Sequence, residues 1–131
     1  MPVLDAMEAY RHARDILKAP YPEGEKAITT SAYYSYRYAI DVLKAPFLLG
    51  EAVIATNSYY SYCYARYVLK KPFRLGEKAI ATNGNFSVSY AENVLKSRFR
   101  LGEAAIGTDA ALLKYYRKLF LIKPRPAFFK Y

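Results

Sequence analysis

The chain reads as an all-α solenoid of about four and a half two-helix repeats, closed by a C-terminal capping helix. Three observations predict this. One motif returns in steps of 26 residues: Leu17-Lys18-Ala19-Pro20, Leu43-Lys44-Ala45-Pro46, Leu69-Lys70-Lys71-Pro72 and, loosely, Leu95-Lys96-Ser97-Arg98. The same step relates Gly24, Gly50, Gly76 and Gly102, the glutamates that follow them, and Ile28, Ile54, Ile80 and Ile106. Within each repeat, apolar residues fall at helical spacing. A fixed period of this size means a stack of like supersecondary units, each burying a face it cannot bury alone.

Aligned at Met7, Tyr33, Tyr59, Asn85 and Ala111, the chain divides into units 7–32, 33–58, 59–84 and 85–110, a cap over 111–123 and a tail over 124–131, all within one domain. In the second unit Ser35, Tyr38, Ala39, Val42 and Leu43 form the apolar stripe of an amphipathic helix of about 12 residues. Ser31, Asn57, Asn83 and Asp109 stand where N-caps belong. Pro20, Pro46, Pro72 and Pro124 are expected to end the long helices, since proline restricts the residue before it and cannot donate. The remainder of each unit has room for a short α- or 3₁₀-helix. Tyr21, Phe47, Phe73 and Phe99 open it and should plug the groove between helices. A glycine repeated four times against its helix propensity implies steric need, expected as backbone packed on backbone. Thr30, Thr56, Thr82 and Thr108 should close each unit with a hydroxyl-to-backbone bond.

Composition narrows the class. The 131 residues are 53% hydrophobic and 17% aromatic, enough for a core and against disorder. No run of about 18 apolar residues is present, so no membrane span is expected. The opening Met1-Pro2-Val3-Leu4-Asp5 lacks the regions of a signal peptide, and Cys63 is the single cysteine, so a cytoplasmic protein without a disulfide framework is expected. The net charge of +9 is lopsided: residues 1–65 carry 6 Lys/Arg against 7 Asp/Glu, residues 66–131 carry 14 against 4. A basic half attracts anions, whether an acidic protein surface, nucleic acid or an anionic membrane surface; general solubility is the plain alternative.

Candidate binding residues follow from recurrence and type. Lys18, Lys44, Lys70 and Lys96 precede Glu25, Glu51, Glu77 and Glu103 by seven residues, which suits either a ladder of ion pairs or a row of cations for phosphates. The chain holds 15 Tyr and no Trp. Tyr34, Tyr36, Tyr60 and Tyr62 cannot all join the buried stripe, so they line a seam between units or an open face suited to a partner. Arg37 and Arg66 lie near the polar face of the long helices; Lys70, Lys71, Arg74, Arg98 and Arg100 sit in later turns; Lys114, Arg117 and Lys118 lie on the cap. Arginine interleaved with tyrosine suits acidic protein grooves and single-stranded nucleic acid alike. The apolar C-terminal residues, Leu119 to Ile122 with Phe128, Phe129 and Tyr131, read as a lid, a homo-oligomer contact or a partner contact.

The string Tyr-Ala-x-x-Val-Leu-Lys-x-x-Phe-x-x-Gly-Glu-x-x-Ile, over residues 7 to about 110, resembles a short tandem helical repeat of bacteriophage and bacterial proteins, in the style of HEAT-like or leucine-rich-variant arrays. That resemblance implies architecture, and through a phage origin a host-targeting or defence-blocking role in the host-cell cytoplasm. Fold likeness alone does not assign an activity. One His and one Cys do not make a zinc site, no phosphate-loop or dinucleotide string appears, and the carboxylates are spread along the stack, so no catalytic residue, metal or cofactor is expected. The leading reading is a non-enzymatic module docking an acidic protein partner; the alternative is a nucleic-acid-binding module using the Lys/Arg rows.

Overall fold

The computed structural model describes residues 4–122. Among these the chain is helical throughout, with long and short helices alternating. We label the helices α1 (6–17), α2 (22–28), α3 (32–43), α4 (48–54), α5 (58–69), α6 (74–80), α7 (84–95), α8 (100–106) and α9 (Ala110–Leu119). The odd-numbered helices up to α7 are the long ones, each followed by a short partner; α9 is a fifth long helix. Successive long helices pack on one another, as do successive short ones. The solenoid predicted from the period is the observed fold.

The long helices start as their sequences dictate. The side chains of Ser31, Asn57, Asn83 and Asp109 accept from the backbone N–H three residues on. Asp5 does the same at α1 and forms a reciprocal capping box with Glu8. The hydroxyls of Thr30, Thr56, Thr82 and Thr108 bond carbonyls three residues back, closing each unit as predicted.

The helix ends differ from the expectation built on proline. The second half of each long helix from α1 to α7 is π-helical, over His12–Leu17, Tyr38–Leu43, Tyr64–Leu69 and Ala91–Leu95, whereas α9 is α-helical throughout. The next residue, Lys18, Lys44, Lys70 or Lys96, turns left-handed with φ of 51–55°. Its N–H and the following one converge on a single carbonyl, as Lys44 and Ala45 do on Ala39. Arg98 stands where the fourth unit lacks proline, yet α7 ends at the same position. The left-handed cap therefore terminates the helix, and the proline only follows it. Pro124 lies outside the described residues. A left-handed lysine costs about 1–2 kcal/mol that glycine would avoid. Lys44→Gly is accordingly expected to fold with stability within about 1 kcal/mol of the parent, because added unfolded-chain entropy offsets the relieved strain; urea melts check this.

The inward positions follow the pattern except at the end of the stripe, where Val42 and Leu43 are only half-buried and their α1 counterparts Ile16 and Leu17 are exposed. Tyr38, Tyr64, Tyr90, Ile28, Ile54, Ile80 and Ile106 are fully buried, and Phe47, Phe73 and Phe99 nearly so. Each of these phenylalanines meets the tyrosine of its own unit edge-on at about 5 Å. The repeated glycine is a correction: its neighbours are side chains, not backbone. A Cβ on Gly76 would stand 2.5 Å from Ser61 Oγ and 2.7 Å from the Phe73 ring, and one on Gly102 2.3 Å from Ser87 Oγ. Those serines are themselves buried, donating to the carbonyls of Ile54 and Ile80.

The first and last described helices depart from the repeat. Position 2, aromatic in Tyr34, Tyr60 and Phe86, is Glu8 in α1; position 4, Tyr36 and Tyr62 inside the array, is exposed Lys114 in α9. Each swap puts a charge on a helix face that no neighbouring long helix covers among the described residues. Phe120 packs edge-on to Tyr116 at 5.2 Å, the place a later phenylalanine holds in full units, so this part of the apolar C-terminal segment lies against the array. Phe128, Phe129 and Tyr131, for which lid, oligomer and partner readings were open, lie outside the described residues.

Candidate partner-binding surface

The glutamates decide what the lysines are free to do. Tyr64 Oη donates to Glu51 at 2.6 Å and accepts from the Phe47 N–H at 3.0 Å. Tyr38, Tyr90 and Tyr116 repeat both bonds, to Glu25 and Tyr21, Glu77 and Phe73, and Glu103 and Phe99. Each tyrosine thus clamps the turn of the preceding unit. The fifth long helix follows from this: α9 supplies the hydroxyl that closes the fourth unit. His12 takes the tyrosine position in α1 and meets the Tyr21 ring at 4.8 Å with the two planes tilted by 51°.

The Lys–Glu ladder is consequently absent. Among the described residues no ion pair joins Lys18, Lys44, Lys70 or Lys96 to a glutamate, and all four lysines are exposed. Glutamate instead pairs with later arginines: Arg74 with Glu77 at 2.9 Å, and Arg98 with Glu103 through two bonds of 2.9 Å. The Arg98 guanidinium holds the Glu103 carboxyl below the usual range, so this pair stabilises the fold above ordinary carboxylate pH and is lost as pH falls.

Burial, and then the bond to glutamate, push the clamp tyrosines upward, Tyr116 to about 12 and Tyr38, Tyr64 and Tyr90 higher still. In the unfolded chain these phenols titrate near 10. Their contribution is therefore complete below about pH 10 and is lost as pH rises through the folded values. The array is expected to unfold cooperatively between about pH 10 and 12, with phenolate absorbance appearing together with loss of helix rather than before it.

The structure splits the predicted site residues into three groups. Tyr34, Tyr36, Tyr60 and Tyr62 occupy the seam: Tyr10 meets Tyr34 at 5.5 Å, Tyr36 stacks on Tyr60, and Tyr62 on Phe86. Tyr62 is buried at 6%, and Asn93 of the next unit donates to its hydroxyl. Of the two readings of these tyrosines, seam packing describes where they sit; the tyrosines turned outward on these helices are Tyr33, Tyr59 and Tyr67. Arg37 is tied to Asp41 and Tyr33, and Arg66 to the Tyr62 hydroxyl. The second group, Lys70, Lys71, Arg74, Arg98 and Arg100, lies along the turns and first residues of the short helices. The third, Lys114, Arg117 and Lys118, belongs to α9, where Arg117 lines a cleft of about 300 Å³ with Arg98, Glu103 and Ile122.

One feature of the second group was missed from sequence. Leu48, Leu49, Leu75 and Leu101 are 58–76% exposed on the opening turns of α4, α6 and α8. Arg74 and Arg100 directly precede two of them. The signal was present: each leucine lies between a phenylalanine and a glycine that are both buried, so the intervening residues of a 3₁₀ turn must face out.

Among the described residues no three His, Cys, Asp or Glu side chains gather as a metal site, and no helix is long and apolar enough to cross a membrane. Fold and surface together define a tandem helical-repeat protein. No family model, curated protein or solved structure matches the chain.

Proposed function

We propose that this protein is a non-enzymatic binding module whose partner is an acidic protein surface bearing apolar side chains. The observation that carries the reading is the exposed leucine row, Leu48, Leu49, Leu75 and Leu101, with Arg74 and Arg100 set into it. Exposed apolar side chains in register along a stack suit protein contact. Interleaved arginines favour carboxylates, which they grip bidentately. A phosphate backbone would use the cations and leave the leucines in water. The sequence resemblance adds that the partner belongs to a host machine, which binding would block sterically.

The test is selection of binders from a displayed random-peptide library. Enriched peptides are expected to combine Asp/Glu with Leu, Ile or Phe, and Leu75→Ser with Leu101→Ser to weaken them at least about tenfold, which is about 1.4 kcal/mol. Nucleic acid is the competing partner. Submicromolar binding of DNA or RNA that persists at about 200 mM salt, where phosphate contacts weaken steeply, would overturn the reading, the more so if the leucine variants bind it unchanged.

A further inference from the structure

We propose that Lys18, Lys44, Lys70 and Lys96, with the grooves they border between successive long helices, hold an extended acidic polypeptide laid along the stack. This rests on the reading above for the acidity of the partner and adds a second contact line to it.

Three observations converge on this line. Each lysine occupies a left-handed backbone position, φ 51–55°, that glycine or asparagine would fill with less strain. One such residue is a local accident; four in register, each closing a π-helical segment, keep a cation where the backbone disfavours any side chain. The second observation is that these cations are uncommitted. The glutamate of each unit bonds the tyrosine of the next, and no ion pair among the described residues involves the four lysines. The third is a pair of grooves between units. One, of about 210 Å³, lies between Lys18 and Lys44 over Ala13 and Val42; the next, of about 200 Å³, lies between Lys44 and Lys70 over Ala39, Ile40 and Val68. Lys44 borders both, so the two grooves share a rim from Lys18 to Lys70, and Lys96 extends the line of cations beyond them.

Grooves that set small apolar side chains, Ala13 and Val42 in one and Ala39, Ile40 and Val68 in the next, beside lysines and Arg14 fit a chain that alternates apolar and carboxylate side chains. They fit a phosphodiester less well, because the first groove also presents the Asp41 carboxylate, held by Arg37 and by the Tyr10 hydroxyl. A polypeptide can set an apolar side chain beside Asp41 and a carboxylate beside each lysine. A nucleic acid carries a charge at every residue and must bring one against it.

The test uses a fluorescein-labelled peptide of Glu-Glu-Leu triplets and an oligo-dT of equal charge, followed by anisotropy at about 150 mM salt. The peptide is expected to bind the intact protein. The quadruple variant Lys18→Gly, Lys44→Gly, Lys70→Gly, Lys96→Gly should lose at least tenfold in affinity, and the matching Lys→Arg set should retain it. Glycine suits the left-handed position, so circular dichroism and melting should show the quadruple variant folded, which separates loss of contact from loss of structure. Unchanged peptide binding in that folded variant would overturn the lysine row. If Leu75→Ser with Leu101→Ser still abolished binding, the acidic-partner reading would stand without it. Tighter binding of oligo-dT than of peptide, lost with the lysines, would reassign the row to nucleic acid. Failure of the intact protein to bind the peptide would overturn the row, and the acidic-partner reading falls with it only if the library selection also enriches no acidic peptide.

Discussion

Tyr64→Phe is expected to destabilise the array by roughly 2–4 kcal/mol, although it removes a single oxygen. The hydroxyl is fully buried and serves two partners in the preceding unit, the Phe47 N–H and the Glu51 carboxylate. Without it a buried backbone donor has no acceptor and a half-buried carboxylate loses a donor. Both partners belong to the neighbouring unit, so the loss falls on the coupling between units rather than on one unit's own core. In a linear array, stability is a sum of unit and nearest-neighbour terms. Urea unfolding should therefore show a lower midpoint together with a broadened or split transition. A narrow transition shifted by less than about 0.5 kcal/mol would mean that the clamp is dispensable. Tyr116→Phe should act more weakly, because Arg98 still holds Glu103 through two bonds.

Gly76→Ala carries the second large effect, about 3 kcal/mol, at the upper end of what overpacking costs. The backbone at Gly76 is ordinary right-handed helix, so no strained dihedral is involved. The added methyl would stand 2.5 Å from Ser61 Oγ and 2.7 Å from both Ser61 Cβ and the Phe73 ring. Neither neighbour can swing away: Ser61 is fully buried and donates to Ile54, and Phe73 is wedged against Tyr64. Combining Gly76→Ala with Ser61→Gly should recover part of the loss, the ring contact remaining. Full additivity of the two changes in a double-mutant cycle would contradict this steric account.

Much of the fold was legible in the sequence because its determinants are local. An asparagine caps the helix it precedes, a threonine bonds a carbonyl three residues back, and the 3.6-residue stripe turns Tyr38, Ala39 and their counterparts inward; each involves residues within one turn or one helix. The candidate surface was legible in composition and not in arrangement. Arg74, Arg98 and Arg100 stand out in the sequence as a basic stretch, while the outward facing of Leu75 and Leu101 is carried only by the buried phenylalanine and glycine that flank each of them.

The period, the caps and most of the core positions follow from the sequence alone. Tertiary structure decided who pairs with whom. Lys44 and Glu51 recur together, but so do Glu51 and Tyr64, thirteen residues on in the next unit, and in a tandem repeat the two spacings are equally regular. A pattern repeated at every step cannot distinguish a partner within the unit from one in its neighbour. Only packing of α5 over the preceding turn brings the hydroxyl to the carboxylate and leaves the lysines without it, while packing of the following turn back onto Ser61 makes glycine necessary at position 76.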